Sequence, residues 1–280
     1  MTEPNSMHSE MARYWNENGG QRWTANLDRV ERMLQPLAET LLGFVAPAAG
    51  EAILDVGCGG GPTSAAFAET VGPEGRVVGL DISAVILAQA RQRFGHLANL
   101  QFAQDDAGSM RFEPASFDVI TSRFGVMFFP DPVGAFANLK TALKPGGRLR
   151  FICWRELKLN PWMGVPVQAA FEVLPRPAPS APNAPGPFAF ADQAYLRHVL
   201  ETAGWREIAI HSHEAVLNLG SLDEAIAQMT RMGPAAVPYE EATPALQARV
   251  VDGLGAAFAP FERDGNVQLM STTWLVSAGA

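Results

Sequence analysis

The strongest constraint on the fold is a short apolar run that ends in a glycine-rich turn. The run is Ile53-Leu54-Asp55-Val56, and the turn contains Gly57, Gly59, Gly60 and Gly61. Because glycine has no Cβ, its backbone can approach a ligand closely, and N–H groups at the start of a following helix point towards that ligand. The segment therefore predicts a buried strand, a ligand-binding turn and a helix, in that order.

Short apolar runs alternate with helix-length segments between residues 51 and 153. The predicted strands are Ala52–Val56, Arg76–Leu80, Leu100–Ala103, Phe117–Ser122 and Arg148–Trp154, and the predicted helices are Pro62–Val71, Ser83–Phe94 and Val133–Leu143. Elements in this order form right-handed βαβ units, with a parallel sheet and helices on both faces. Lys144-Pro145-Gly146-Gly147 is predicted as a turn where the last of these helices stops.

The segments on either side of this core are mostly helical in the prediction. Residues 1–45 are expected to form an N-terminal helical arm or cap, and residues 46–280 the core, with lid insertions at 156–190 and 218–265. The proline-rich stretch 174–187 can continue neither a helix nor a central strand. Further predicted elements are a helix at Asp192–Ala203, a strand at Trp205–Leu217, helices within 221–260 and a last strand at Val267–Val276.

Two residues argue against a dinucleotide at the glycine turn. The dinucleotide fingerprint needs Gly or Ala at the sixth position, and Pro62 holds that position when the count starts at Gly57. Asp55 lies two residues before the first glycine, where a carboxylate repels a pyrophosphate and favours a ligand with a cationic amino-acid portion. A nicotinamide-dependent oxidoreductase is therefore only an alternative.

Acidic residues also follow the second and third predicted strands. At Asp81, a carboxylate can accept hydrogen bonds from both ribose hydroxyls, although it can also cap the next helix. At Asp105-Asp106, one carboxylate can accept from an adenine amino group while the backbone N–H of Ala107 addresses the ring, although a surface turn is the alternative. Ligands of open α/β sheets bind outside the carboxyl ends of the strands, so these groups predict an adenosyl ligand without a diphosphate.

A series of motifs runs along the core. They are Asp55-Val-Gly-Cys-Gly-Gly-Gly, Val78-Gly-Leu-Asp81-Ile-Ser, Gln104-Asp-Asp106-Ala, Phe117-Asp118-Val-Ile and Leu143-Lys-Pro-Gly-Gly-Arg-Leu. In this order they resemble the motifs of class I S-adenosylmethionine-dependent methyltransferases, most closely the ubiquinone/menaquinone group. The resemblance implies S-adenosylmethionine as cofactor. It also implies a doubly wound α/β fold whose seven-stranded sheet is mostly parallel, with the last strand antiparallel.

The resemblance assigns a set of cofactor-binding residues. They are Trp23, Asp55, Gly57, Cys58, Gly59, Asp81, Ile82, Asp106, Ala107, Ser122 and Arg123. Within this set, Asp55, Gly57 and Gly59 would line the methionine and ribose, Asp81 would hold the ribose hydroxyls, and Asp106 with Ala107 would flank the adenine. The Ser122-Arg123-Phe124 segment would pass beneath the sulfonium and the amino-acid end. No metal site is predicted.

Two features indicate the nature of the methyl acceptor: the motif after the fourth strand and the net charge of the chain. Methyltransferases of nucleobase or glutamine amino groups carry Asp/Asn-Pro-Pro-Tyr/Phe after the fourth strand, and Ser122-Arg123-Phe124-Gly125 stands there instead. The formal net charge is -8, and no dense Lys/Arg stripe offers a face for nucleic-acid phosphates. A small-molecule acceptor is therefore predicted, and a nucleic-acid partner is not.

Methyl transfer from a sulfonium is an in-line displacement, so a general base is needed only for an acceptor that must lose a proton. The candidate bases are His211, His213 and Tyr14, with His198 a further one. His211 and His213 are two residues apart in a predicted strand and so share a face. A solvated or hydrogen-bonded strand face is the alternative interpretation of that pair.

Aromatic residues are plentiful around the predicted site: Trp15, Trp23, Phe124, Phe128, Phe129 and Trp162. They predict a cap that shields the sulfonium and holds an apolar acceptor, with ordinary core packing as the alternative. Met229 and Met232 suit a pliable lid. The competing interpretation of that helical surface is a homodimer contact.

The prediction is thus an S-adenosylmethionine-dependent methyltransferase of a small, apolar or aromatic molecule. A non-catalytic S-adenosylmethionine-binding protein of the same fold is the alternative. The polar N-terminal residues lack the pattern of a signal peptide, and no apolar run is long enough to cross a membrane, so a cytoplasmic location is expected. Cys58 and Cys153 are expected to be small, buried or half-buried residues outside any disulfide.

Overall fold

The computed structural model describes residues 4–280, with side chains from residue 10 onward, so residues 1–3 of the predicted arm lie outside the described residues. The strands are β1 (Ala52–Val56), β2 (Arg76–Asp81), β3 (Leu100–Gln104), β4 (Phe117–Arg123), β5 (Leu143–Trp154), β6 (Arg206–Asn218), β7 (Glu262–Arg263) and β8 (Asn266–Gly279). The main sheet has the order β3-β2-β1-β4-β5-β8-β6, and the short β7 pairs only with β8.

Neighbouring strands among β1 to β5 are parallel, whereas β8 is antiparallel to both β5 and β6. The predicted doubly wound α/β fold, with its mostly parallel sheet and antiparallel last strand, is therefore confirmed. The order of the strands reverses between β1 and β4, because β2 and β3 lie on one side and β4 and β5 continue on the other. Ligands of such sheets bind at this switch point, outside the carboxyl ends of the strands.

Helices cover both faces of the sheet. The helices are α1 (Pro4–Asn16), α2 (Asn18–Ala25), α3 (Leu27–Val45), α4 (Pro62–Val71), α5 (Ala84–Phe94), α6 (Pro132–Thr141), α7 (Pro161–Ala170), α8 (Gln193–Thr202), α9 (Leu222–Arg231), α10 (Ala236–Glu240) and α11 (Pro244–Phe258). Right-handed crossovers place α4 and α5 on one face and α6 on the other. The α3 helix packs against α4, and α8 packs against α6.

The helices predicted from Ser83 and from Asp192 begin one residue later than predicted, because the first predicted residue is the cap. Ser83 Oγ accepts from the backbone N–H of Ile86 at 3.3 Å, so α5 begins after it. Asp192 Oδ1 accepts from the N–H groups of Ala194 and Tyr195 at 2.7 and 3.2 Å, so α8 also begins one residue later. Side-chain acceptors of this kind satisfy N–H groups that the helix itself leaves unpaired.

The prediction of a turn at Lys144–Gly147 is wrong in one respect. Leu143 pairs with Phe117 and Arg148 pairs with Val119, so the residues between them form a bulge inside β5. Gly146 takes a φ of +78°, which accommodates the extra residues. The strand therefore begins at Leu143, and the preceding helix ends at Thr141, earlier than predicted.

None of the helices in the described part of the chain is long and apolar enough to cross a membrane. Cys58 and Cys153 are buried free thiols, as predicted.

Candidate active site

A cavity of about 340 Å³ lies at the switch point of the sheet. Its floor is formed by residues at the carboxyl ends of β1 to β4. The predicted cofactor-binding residues that line it are Trp23, Gly57, Gly59, Asp81, Ile82, Asp106, Ala107 and Arg123. Asp55, Cys58 and Ser122 are not among its lining residues. The fold thus brings most of the predicted set together around one space.

The two glycines of the turn are required for different reasons. Gly57 has a φ of +69°, and a Cβ built on it would lie 2.6 Å from the Cα of Gly125, so it permits close approach of the β1 turn to the β4 turn. Gly59 has a φ of +56°, and a Cβ built on it would meet no described atom within 4 Å. Because Gly59 lines the cavity, that open space is where a ligand would lie against its backbone.

Asp81 holds the glycine turn from the end of the neighbouring strand. Its Oδ2 accepts from the backbone N–H of Gly59, and its Oδ1 accepts from the backbone N–H of Ser83, both at 2.9 Å. Desolvation raises the pKa of this carboxyl, while the backbone N–H groups act in the opposite direction. Each carboxylate oxygen has a second lone pair, so both can still accept from a diol.

Asn16, at the end of α1, is a contributor that the sequence interpretation missed. Its Nδ2 donates to the carbonyl of Ile82 at 3.0 Å, and its Oδ1 accepts from the N–H of Ala84 at 2.8 Å. Ser83 Oγ also donates to the carbonyl of Trp15 at 2.6 Å. These bonds join the N-terminal arm to the turn that follows β2, beside Asp81.

Asp55 does not contact the cavity directly, in contrast to its predicted place. It is 1% exposed, and its Oδ2 accepts from Ser64 Oγ on α4 at 2.6 Å. Desolvation raises the pKa of its carboxyl to about 6, although the Ser64 hydrogen bond and the charge of Arg123 lower it. In this arrangement Asp55 supports the turn from below, and a direct contact with a ligand would require it to move.

Cys58 and Ser122 also act beneath the floor. Burial raises the pKa of the Cys58 thiol well above its usual value, so it stays neutral. Ser122 Oγ donates to the carbonyl of Val56 at 2.7 Å and accepts from the N–H of Gly125 at 3.0 Å. It therefore ties the end of β1 to the loop after β4.

Asp106 and Ala107 line the cavity at the end of β3, as does Asp105. Asp106 Oδ1 accepts from the N–H of Gly108 at 2.8 Å, and Asp105 Oδ1 accepts from the N–H of Asp106 at 2.8 Å. These short-range bonds fix the turn and leave both carboxylates at the floor of the cavity.

Arg123, at the end of β4, places a cation in the cavity wall. Its Nε donates to Thr63 Oγ1 at 3.0 Å. Desolvation lowers the pKa of its guanidinium, whereas the charges of Asp55 and Glu31 raise it. Arginine remains protonated in proteins, so Arg123 can bind a ligand carboxylate.

All six predicted aromatic residues line the cavity: Trp15, Trp23, Phe124, Phe128, Phe129 and Trp162. Phe124 stacks on Trp154, with ring centroids 4.1 Å apart and planes 6° apart. Its backbone has a φ of +68°, a conformation that non-glycine residues adopt at a cost and that occurs often at functional sites.

A second wall faces the floor, and we call it the helical wall. It consists of Val30, Met33, Leu34, Trp162, Met163, Pro166, Val167, Gln228, Met229, Met232, Gly233, Pro234 and Ala235. These residues come from α3, α7, α9 and the segment after α9. The wall carries no charged side chain, so it suits an apolar molecule. The sequence interpretation had singled out only Trp162, Met229 and Met232 from it.

The candidate bases lie elsewhere. Tyr14 is 52% exposed, and His211 and His198 are exposed on β6 and α8. His213 Nε2 lies 3.1 Å from Thr40 Oγ1 on α3. None of the four lines the cavity, so their positions give no support to a role as base. No group of residues suited to hold a metal ion occurs in the described part of the chain.

Comparison with known proteins agrees with this geometry. Residues 53–147 match a family model described as a methyltransferase domain. The chain is 36% identical over 118 residues to aklanonic acid methyltransferase DauC of Streptomyces sp. (strain C5), a match that covers 41% of this chain and 54% of that protein. It is 42% identical over 103 residues to the ubiquinone/menaquinone biosynthesis C-methyltransferase UbiE of Teredinibacter turnerae, covering 36% of this chain and 41% of that protein.

The matches thus span about half the length of these curated relatives. Among solved structures, phosphoethanolamine N-methyltransferase 2 of Haemonchus contortus in complex with S-adenosyl-L-methionine superposes with a TM-score of 0.59. The identity is 17%, and the match covers 96% of this chain and 59% of that one. This likeness concerns the fold.

Proposed function

We propose that this chain, whose core is a class I methyltransferase domain, binds S-adenosylmethionine and transfers its methyl group to a small apolar molecule. The observation that carries the proposal is the charge pattern of the cavity floor. Asp81 and Asp106 stand at the ends of β2 and β3, and Arg123 stands at the end of β4, all lining one cavity. This pattern fits a ribose, an adenine and an amino-acid carboxylate.

The residues present fit such a ligand better than a dinucleotide. The Asp81 oxygens can accept from ribose hydroxyls, the Asp106 turn can flank adenine, and Arg123 can pair with the methionine carboxylate. A pyrophosphate would lie over the same turn that Asp55 and Asp81 support with carboxylates. When bound, S-adenosylmethionine supplies a methyl group already activated by its sulfonium.

The chain contributes orientation and exclusion of water. Asp106 would hold the adenine end of the cofactor, Asp81 its ribose and Arg123 its carboxylate, and the aromatic residues of the cavity would surround the space between them. A fixed approach of nucleophile and methyl accounts for much of such a rate enhancement. The uncharged helical wall would keep water from the reacting atoms.

We propose an acceptor of apolar, cyclic character. The uncharged helical wall supports this, and so do the names of the relatives, which refer to aklanonic acid and to ubiquinone and menaquinone biosynthesis. We also propose that the arm 1–45 and the insertions 156–190 and 218–265 cover the site as lids. Residues of α2, α7 and α9 line the cavity, which favours this role. A homodimer and a cytoplasmic location stay predictions.

Calorimetric titration of the purified chain with S-adenosylmethionine, S-adenosylhomocysteine and NAD tests the cofactor. We expect both adenosyl ligands to bind and NAD not to bind. Binding of NAD alone would replace the proposal with an oxidoreductase. Incubation with methyl-labelled S-adenosylmethionine and a metabolite extract then tests the transfer. Label in an apolar metabolite is expected, whereas binding without any transfer would indicate the non-catalytic alternative.

A further inference from the structure

Gln228 carries a polar amide in the otherwise apolar surroundings of the helical wall. It lies on α9, is 2% exposed and lines the cavity beside Met229 and Met232. Burial of a glutamine costs both side-chain entropy and desolvation of its amide, which hydrogen bonds normally offset. The first question is therefore what its amide binds.

The amide of Gln228 has one weak partner. Its Nε2 donates to the thioether sulfur of Met33 at 3.2 Å, and its Oε1 is buried without a hydrogen-bond partner among the described residues. The orientation follows from chemistry, because sulfur is a weak acceptor that attracts the N–H and repels the carbonyl oxygen. An unpaired buried acceptor destabilises a fold, so packing alone does not explain this residue.

Asn160 shows how a purely structural amide is treated in the same protein. It is 0% exposed, its Nδ2 donates to the carbonyls of Arg155, Glu156 and Thr272, and its Oδ1 accepts from the N–H of Thr272 at 2.9 Å. Every polar atom of Asn160 is paired. Gln228 differs in that its oxygen has no partner among the described residues and its residue borders the cavity.

We propose that Gln228 determines acceptor specificity by accepting a hydrogen bond from a hydroxyl group of the apolar acceptor. The inference rests on the proposed function. The substrate class that it names is an apolar ring compound with a hydroxyl group. Oε1 has no exposed surface in this conformation, so this contact requires a turn of the amide about the Cγ–Cδ torsion, which is soft.

Trp162 is the other residue of the helical wall with a buried unpaired polar atom, its Nε1. Its indole is rigid and packs 5.0 Å from the ring of Trp154, so no single torsion brings that N–H to the cavity without moving the ring. The proposal therefore depends on Gln228 alone.

The test compares 5,6,7,8-tetrahydro-2-naphthol, whose oxygen carries a proton, with its methyl ether, whose oxygen carries a methyl group and cannot donate a hydrogen bond. Their Kd values are measured by calorimetry on the full chain saturated with S-adenosylhomocysteine. We expect the phenol to bind about tenfold more tightly than the ether in the natural protein, as one buried hydrogen bond provides. We expect Gln228→Leu and Gln228→Met to abolish that preference and the cavity-lining control Met229→Leu to keep it.

The outcomes separate this inference from the proposed function. Absence of S-adenosylhomocysteine binding contradicts the proposed function itself. Normal binding of that ligand with equal affinity for the two probes, or with affinity for neither, overturns the role of Gln228. A phenol preference that survives in both Gln228 variants also overturns it. Binding of S-adenosylhomocysteine by each variant serves as the check that it is folded.

Discussion

The carboxylate of Asp81 accepts a 2.9 Å hydrogen bond from the backbone N–H of Gly59, so the end of β2 holds the turn that follows β1. Its second oxygen accepts from the N–H of Ser83 at the same distance. The turn is therefore fixed before any ligand is present, and a ligand that binds there meets a preorganised surface. Preorganisation lowers the entropic cost of binding.

Replacement of this carboxylate by an amide is expected to weaken cofactor binding. In Asp81→Asn, one oxygen becomes an NH2 group that faces a backbone N–H donor, so the turn loosens and one ribose acceptor is lost. We expect the Kd of S-adenosylmethionine to rise at least about tenfold, measured by calorimetry. The control is Asp118→Asn at the opposite end of the sheet, where the carboxylate pairs with Lys144 at 2.7 Å. An equal loss of affinity in both variants would contradict the assignment.

The two glycines of the turn are expected to respond differently to alanine. Gly57→Ala puts a methyl group 2.6 Å from the backbone of Gly125, so we expect a loss of about 1–3 kcal/mol in unfolding free energy from overpacking, besides the cost of the positive φ. Gly59→Ala has free space around its methyl and loses only about 1–2 kcal/mol from its positive φ.

The same two variants separate stability from binding. Chemical denaturation measures the first effect and titration with S-adenosylhomocysteine the second. We expect the loss of affinity, relative to the loss of stability, to be larger in Gly59→Ala than in Gly57→Ala. The reason is that the methyl group of Gly59→Ala enters the cavity. The explanation fails if Gly59→Ala binds the ligand as the natural protein does.

Asp55 is expected to make stability depend on pH in an unusual direction. Burial raises the pKa of its carboxyl from 3.8 to about 6 in the folded chain. The folded state therefore keeps a proton that the unfolded state has lost, and this contribution to stability is lost as pH rises from 3.8 to about 6. The unfolding free energy lost over this pH interval is about 3 kcal/mol.

The test of this dependence is Asp55→Asn, which removes the titration and keeps an acceptor for Ser64. The unfolding free energy of the variant minus that of the natural protein is expected to increase through this pH interval and then level off. Urea denaturation across the interval measures it. A difference that falls with rising pH would show that the Asp55 carboxyl has a depressed pKa instead.

The sequence predicted the core well because its signals are local and strong. The apolar run before Gly57 and the alternation up to Trp154 set the parallel strands, and the acidic strand ends then met at one sheet edge. Lys144–Gly147 misled because proline and glycine mark a bulge as well as a turn. Only the pairing of Leu143 with Phe117, a long-range contact, distinguishes the two.

The site was less predictable where side-chain direction decides. Asp55 lies in the strand that leads to the cavity, yet its carboxylate bonds to Ser64 on α4. Asn16 joins the site only because α1 folds back on Ile82, which no local pattern reveals. Gln228 sits in an amphipathic helix, and a sequence does not show whether such a polar residue faces solvent or a cavity.

An ion pair is expected to add a link between α2 of the N-terminal arm and α10. Arg22 on α2 makes two hydrogen bonds of 2.6 Å to the carboxylate of Glu240 on α10. An exposed pair adds less than about 1 kcal/mol to stability, so we expect Arg22→Gln to leave Tm nearly unchanged. Amide hydrogen exchange in α10 is expected to accelerate, because its tie to the arm is lost. The matched control is Arg197→Gln, which breaks a 3.9 Å pair with Glu201 on α8. The same acceleration of exchange in α10 in that control would contradict a specific effect of the Arg22–Glu240 pair.

Two buried amides are expected to respond to leucine with opposite signs. Gln228→Leu removes an oxygen that has no partner and loses only a contact to the Met33 sulfur. We therefore expect the ligand-free variant to be more stable than the natural protein, by about 1 kcal/mol. Asn160→Leu removes all the hydrogen bonds of a fully paired amide and takes from the backbone N–H of Thr272 the acceptor that Asn160 Oδ1 provides. We expect Asn160→Leu to lose about 3 kcal/mol of unfolding free energy, and urea denaturation measures both variants.

A loss in Gln228→Leu similar to that in Asn160→Leu would mean that the Gln228 amide stabilises the fold. A gain of stability would mean that the natural protein keeps Gln228 at the expense of stability. Residues that serve ligand binding are often kept in this way.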